Sequence, residues 1–431
     1  MKKLTFRPSL SVLSVMMLGM TSMQSMASEN LSSEVEQLRQ EVKELRALIA
    51  QQAQTQHIVQ QSQQQLVNQI ETAKTTQANT SALKTVSGSE FKLYGNVRLD
   101  TSYQVEGGPA THPYNQMNRV ALEGVNENSD RFKTTPSATR LGLDFKTTVS
   151  DETVSGKVEV DFLGGANLDN LRIRHAYLNY GNWLLGQTWS NFAVPDYMPE
   201  TIDALAFVGG AVKRTPQARY QFDVQPSTKV FVALEDSKDA SIKQRLPALT
   251  ARLNHSFADN AGVVSVRGML HEKKITHDDT IAWGTGIGLK YTLTPETTLK
   301  ADYYHVKGDS SFVSWTNDGI VEKAGRIAAE NEFDSITVGL TQQLSPKLRT
   351  TLGYGYMKAD LDQDYKNAVI DATAVNKELW QAWANVFYSP TKPISLGLEY
   401  VYGEREALGK ASNGSNTGED NRINAVAIYN F

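Results

Sequence analysis

Seven arginines share a phase in the sequence that suits anion chemistry. Arg98, Arg140, Arg172, Arg174, Arg219, Arg252 and Arg267 occupy the polar positions of segments in which polar and apolar residues alternate. Each stands about five to nine residues from its nearest turn or segment start, which at the rise of an extended chain predicts a common height. A guanidinium can grip a carboxylate through two parallel hydrogen bonds. Arginines spread along one wall can therefore engage both ends of a dicarboxylate and release it one bond at a time. Lys92, Lys146, Lys157, Lys229, Lys290, Lys300, Arg349 and Arg422 share the phase, nearer the segment ends. Asp100, Asp144, Glu159, Asp161, Asp223, Glu235, Asp302 and Glu399 are the acids among them, so cations lead by about two to one although the whole chain carries -4. The plainer use of the same residues is mutual pairing that stiffens a wall.

A second group stands in NFAVPDYMPETIDALAFVGGAVKR, where Asp196, Glu200 and Asp203 alternate with Tyr197, Phe207 and Val208. If this connection folds back among the strands, its acids oppose the arginines and create a transverse field. Its aromatics then either offer an apolar surface or pack the loop against the wall. No arrangement for bond-making chemistry stands out: there is no Gly-rich phosphate loop and no serine elbow. HEKKITHDD (271–279) has metal-ligand residue types but reads as a solvated, charged loop tip. The chain is not expected to be an enzyme, and no cofactor or metal is expected.

The elements that must position these residues are β-strands. FKLYGNVRLDTSYQV sends Leu93, Val97, Leu99, Tyr103 and Val105 one way and Lys92, Asn96, Arg98, Asp100 and Gln104 the other. The same period of two recurs to the end of the chain, in RLGLDFKTT, LRIRHAY, VSVRGML and PISLGLEYVY among others. Tight turn signals at 150–153, 180–183, 225–228, 258–261, 294–297, 345–348 and 389–393 alternate with longer polar connections near 106–136, 163–170, 190–214, 236–246, 272–280, 308–331, 359–376 and 404–420. Seven turns and eight loops make sixteen strands. An even number with short turns at one end and long loops at the other is the layout of an outer-membrane barrel. A soluble sandwich would have to fill a core with its apolar face, whereas a barrel wall need only meet lipid. Tyr177, Trp183, Tyr291, Tyr303, Tyr388, Tyr400 and Tyr429 fall near strand ends, where interfacial girdles sit. The final INAVAIYNF is expected to close the ring on the first strand, which removes both sheet edges.

Bulk composition agrees with this reading without demanding it. The chain is 40% hydrophobic and 21% charged, with a mean hydropathy of -0.39. A barrel gives no stronger signal, because only alternate residues face lipid. Lys2, Lys3 and Arg7 precede the apolar LSVLSVMMLGM and a Ser-Met-Ala cleavage site, so residues 1–27 read as a signal peptide. Its removal leaves the mature chain at about -7, which argues against a nucleic-acid partner. Export also accords with the absence of cysteine, since a closed barrel needs no disulfides.

Between leader and barrel, residues 28–72 carry a heptad pattern. Leu31, Val35, Leu38, Val42, Leu45 and Ile49 step by four and three, and the frame runs on through Gln52, Gln56, Val59, Gln63, Leu66 and Ile70. Glu34 and Glu41 at g meet Arg39 and Arg46 at e when the helices run parallel, and meet like charge when they do not. The expectation is a parallel coiled coil of roughly 60 Å. Val at a with Leu at d leans to two strands, and dimer or trimer stays open on these residues. The Thr/Ser-rich stretch 73–89 reads as a linker, and 90–431 as the barrel.

Taken together, SSEVEQLRQEVKELRALI, RIRHAYLNYGNWLLGQTWSNF and the terminal Phe431 resemble the DcaP-like family of outer-membrane porins. The resemblance implies an all-β transmembrane barrel of 16 antiparallel strands preceded by an N-terminal α-helical coiled coil. It further implies a homotrimer in the outer membrane of a Gram-negative bacterium, with the coiled coil in the periplasm. The implied activity is passive passage of small anionic solutes, dicarboxylates among them. The terminal aromatic is similar to the one that marks porins for insertion. The partners implied are outer-membrane lipid, small anions and other copies of the chain. A different reading makes the barrel an anchor and the heptad segment a tether to peptidoglycan or a periplasmic partner.

Overall fold

The computed structural model describes residues 83–84, 88–108, 113–125 and 128–431. The expected signal peptide and coiled coil lie outside the described residues, as does most of the expected linker. Leu83–Lys84 forms a two-residue strand against Glu90 and Phe91.

Sixteen antiparallel strands close into a barrel. In chain order they are β1 (Glu90–Gly107), β2 (Arg131–Thr135, resuming as Arg140–Val149), β3 (Glu152–Gly164), β4 (Asn170–Tyr180), β5 (Trp183–Trp189), β6 (Arg214–Gln225), β7 (Thr228–Glu235) and β8 (Ala248–Phe257). The second half is β9 (Gly262–Lys274), β10 (Asp279–Thr294), β11 (Thr297–Lys307), β12 (Glu332–Ser345), β13 (Leu348–Asp360), β14 (Asn376–Thr391), β15 (Ile394–Ala407) and β16 (Thr417–Asn430). Each pairs with its neighbours in sequence, and β16 pairs back onto β1 from Asn96↔Asn430 to Gly107↔Asp420. Pro136 breaks β2 in two, because proline has no amide to give the ladder. Beyond Asn430 the amide of Phe431 donates to the Gly95 carbonyl at 3.1 Å, and the Gly95 amide donates back at 3.1 Å. The Phe431 ring covers Gly95, which has no side chain to obstruct it.

Alternation sorts the wall as expected. Leu93 is 64% exposed, and Val97, Leu99, Leu171, Ile173, Leu253, Val266 and Ile287 are exposed with it. Their neighbours Asp100, Glu159, Asp161, Arg252, Arg267, Asp302 and Glu399 are buried on the inner face. Exposed apolar rows with buried charges behind them are the reverse of a soluble sheet and match a wall between lipid and a polar lumen. One girdle residue departs from expectation. A bulge in β4 skips Arg174, pairing Glu159 with His175 and Val160 with Ile173, and shifts the phase below it. Tyr177 accordingly lies on the inner face, edge-on to His175 at 6.3 Å.

The connections read as polar loops are largely packed inside the ring. Met117 and Val120 from the first long loop join Phe192, Ala193, Val208 and Ala211 of the third and Phe312 and Val313 of the sixth. They form an apolar cluster against Met269, Tyr304, Phe333, Met357 and Leu379 of the wall. Alternation along one strand cannot reveal such packing, because the partners come from loops far away in the chain.

Candidate functional site

The third long loop, residues 190–213, leaves β5 and crosses the interior before β6 begins. Its start is fixed by Ser190, whose Oγ accepts from the amides of Phe192 and Ala193, and by buried Glu235, which accepts from the Asn191 amide at 2.8 Å. From there the loop runs along β10 to β16. Lys300 of β11 donates to the Met198 carbonyl at 3.1 Å, and Arg349 of β13 holds Glu200 at 2.9 Å. Trp383 and Asn385 of β14 donate to the Glu200 carbonyl at 3.0 and 2.9 Å. Glu399 of β15 accepts from the Ile202 amide at 2.9 Å and from the Thr201 hydroxyl. Arg422 of β16 reaches Asp203 at 3.2 Å, and Gln381 of β14 accepts from the Val208 amide at 3.1 Å.

Inward glycines let the loop lie so close. A Cβ at Gly355 would stand 1.8 Å from the Val208 carbonyl oxygen, and one at Gly288 would stand 2.3 Å from the Tyr197 ring. Gly339 makes the same room for Pro199. Nothing in a local pattern distinguishes these glycines from those at turns. Their signal is position: they occupy the inward phase of their strands, in company with other small inward residues such as Gly284, Gly286 and Gly353.

The loop residues singled out by sequence divide into two groups. Tyr197 and Phe207 are 2% and 1% exposed. Tyr197 lies beneath the Arg267 guanidinium, 5.2 Å from the ring, and Phe207 stands edge-on to Trp383 at 4.6 Å. Both therefore pack the loop against the wall and offer no apolar surface to the lumen. Glu200 and Asp203 are paired, as described. Burial pushes the Asp203 carboxyl up to about 7, against the pull of Arg422 and the Leu205 and Asn115 amides. Asp196 differs. It is exposed, has no salt bridge among the described residues, and lies within electrostatic reach of Arg219, Arg252 and Lys300.

The seven arginines divide as well. Arg98 binds Asp100 at 2.6 Å and donates to the Ile202 carbonyl, clipping one end of the loop. Arg267 pairs with Asp302 and donates to the Phe192 carbonyl at 3.3 Å, clipping the other. Arg172 holds Asp161 at 2.7 Å, and Arg174 holds Glu159 at 2.6 Å and Asp161 at 2.9 Å. Arg140, Arg219 and Arg252 have no carboxylate partner among the described residues. Arg252 stacks on the Phe231 ring at 4.4 Å, with Arg219 at 5.7 Å from the same ring, and its Nε has no hydrogen bond. A further unpaired guanidinium, Arg214, lies over Trp189 at 4.6 Å and within electrostatic reach of Arg140, Arg172 and Arg174. Sequence reasoning missed it because it adjoins the loop at the very start of β6. Phe231 was missed too, although an inward Phe between outward Val230 and Val232 was a visible break in the polar phase.

HEKKITHDD is not the solvated tip expected. His271 and Lys273 belong to β9 and are buried, because the alternating pattern runs on through them. The His271 Nδ1 lies 2.6 Å from Asp309, and Lys273 reaches Asp239 at 2.5 Å and Asp309 at 2.7 Å. Those contacts depress the Asp309 carboxyl well below its usual range despite the opposing effect of burial. The fourth and sixth long loops are thereby pinned to the wall. Among the described residues no group of His, Asp and Glu could hold a metal ion.

The interior thus has two unlike sides. The third loop covers β10 to β16 and the edge of β1. Facing it across the lumen, β2 to β8 carry Arg140, Arg172, Arg174, Arg214, Arg219 and Arg252.

Comparison with known proteins places this architecture. The family described as DcaP outer membrane protein matches residues 19–431. The crystal structure of the outer membrane channel DcaP of Acinetobacter baumannii is similar at 37% identity and a TM-score of 0.74, over 81% of this chain and 100% of that one. The outer-membrane OmpT of Vibrio cholerae (17% identity, TM-score 0.52) covers 81% of this chain and 100% of its own. An anion-selective porin from Comamonas acidovorans (11%, 0.52) covers 80% and 100%. The latter two likenesses concern the fold alone. No curated protein sequence matches the chain.

Proposed function

Because this chain belongs to the DcaP outer membrane protein family and is an outer-membrane porin, we propose that it passes small organic anions by diffusion, dicarboxylates among them. The observation that carries this reading is the set of guanidiniums at Arg140, Arg219 and Arg252 with no carboxylate partner among the described residues, facing a loop whose own acids are mostly neutralised. An unpaired buried charge is costly, and a passing carboxylate supplies what the wall withholds. Rings of Arg and Lys favour anions in pores. The paired arginines Arg98, Arg172, Arg174 and Arg267 hold loop and wall in shape, and their residual field adds to the preference. Arg214 belongs with the unpaired set.

The same reading takes the channel as a homotrimer, joined by barrel contacts and by a parallel coiled coil of residues 28–72 in the periplasm. Reversal potentials across planar bilayers in a KCl gradient test the selectivity. Anion preference is expected, reduced in the Arg140→Gln, Arg219→Gln, Arg252→Gln triple variant. A cation-selective wild type would overturn the proposal.

A further inference from the structure

We infer that Asp196 is a tethered competitor for the anion station at Arg219 and Arg252, and that it sets how quickly a bound solute leaves. This rests on the anion-passage reading. Arg252 is 8% exposed, without a hydrogen bond at Nε, and stacked on Phe231. A guanidinium so desolvated binds a carboxylate tightly, through two hydrogen bonds at low effective dielectric. Tight binding is a defect in a passive channel, because conduction requires that the solute also depart. Something must weaken the station without occupying it.

Of the three loop acids, Glu200 and Asp203 are committed to Arg349 and Arg422. Asp196 has no such bond among the described residues and projects from a single 3-10 turn, Pro195–Tyr197, whose proline fixes its start. Buried Val194 and Tyr197 bracket it, at 1% and 2% exposure. Its neighbour Tyr197 reaches Asn254 of β8, two residues from Arg252, at 3.4 Å. The carboxylate is thus held on a short, anchored piece of backbone beside that strand, in the field of Arg219, Arg252 and Lys300 but outside ion-pair range of any of them. In that position it lowers the affinity of every arriving anion and repels the one already bound. Competition of this kind shortens residence while leaving the guanidiniums charged and the channel anion-selective.

The test uses the full-length channel in planar bilayers with succinate as probe, reading both reversal potential and the residence time of succinate block. Asp196→Asn should lengthen residence about fivefold at low salt, what one unit charge supplies through a mostly aqueous gap. The gain should fall towards unity in molar KCl, where screening acts within a few ångströms, and Asp196→Glu should behave as wild type. Unchanged residence in Asp196→Asn, with Arg252→Gln still weakening block, would overturn the competitor role and leave the anion station standing. A lengthening that persists undiminished in molar salt would also overturn it, since it would report a displaced loop. Failure of succinate to block the wild type, or block indifferent to Arg252→Gln, would remove the station itself and the inference with it.

Discussion

Replacing Gly355 by Ala should move the third loop and narrow the channel. The added Cβ would stand 1.8 Å from the Val208 carbonyl oxygen, and contacts under about 3.0 Å are essentially never seen, so about 1.2 Å of withdrawal is needed. The clashing atom is backbone, which has no rotamer to yield. A shift of that size stretches the 3.1 Å bond from the Val208 amide to Gln381 beyond hydrogen-bond length. Leaving that buried amide unsatisfied costs about 1–3 kcal/mol. Loosening the Phe207–Trp383 contact, now 4.6 Å between centroids, adds about 0.5–1.5 kcal/mol. The loss of roughly 1.5–4.5 kcal/mol is local, because Glu399, Arg349 and Arg422 still hold the preceding residues. The variant should therefore fold, melt at a lower temperature in detergent, and conduct less in single-channel recordings as the loop is pushed into the lumen. Gly268→Ala is the control, since its methyl group meets nothing within 4 Å. Wild-type conductance and stability in Gly355→Ala would refute the packing of this loop against β13.

Two further outcomes are expected from the loop and the N-terminal segment. Asp203 keeps a proton in the folded channel up to about pH 7 that an unfolded carboxyl gives up near pH 4. Stability from this group is greatest at acidic pH and falls as pH rises through 7; Asp203→Asn should flatten the pH dependence of the thermal midpoint between pH 5 and 8, and an unaltered slope would contradict this. Deleting residues 28–72 should lower the temperature at which the oligomer dissociates on native gels while conductance per barrel stays unchanged, and an equally stable oligomer would exclude a coiled-coil clamp. If the same deletion abolished only co-sedimentation with peptidoglycan, the tether reading of that segment would gain ground.

Much of the wall was legible because its rule is local. A residue's side of the sheet follows from its neighbours one and two positions away, so the sixteen strands, the turn side and the inward phase of all seven arginines could be read directly. Tyr177 escaped because a single extra residue at Arg174 shifts the phase, and alternation carries no mark of a bulge. The division of the arginines escaped for a different reason. Whether Arg174 is paired and Arg140 is not depends on Glu159 and Asp161 across a strand boundary, which a period of two cannot report. Loop packing was least legible: Met117, Phe192 and Phe312 are far apart in the chain and meet only inside the ring.

The seam between β16 and β1 has a bearing on biogenesis. Because Asn430 pairs with Asn96 and Phe431 with Gly95, the ring cannot shut until β16 has reached β1. A chain cut short by nonsense mutation or proteolysis keeps two open edges at bilayer depth, where stranded amides and carbonyls find no water. Pairing of β16 with β1 is thereby a geometric condition for the barrel to rest in the bilayer, met by one seam alone.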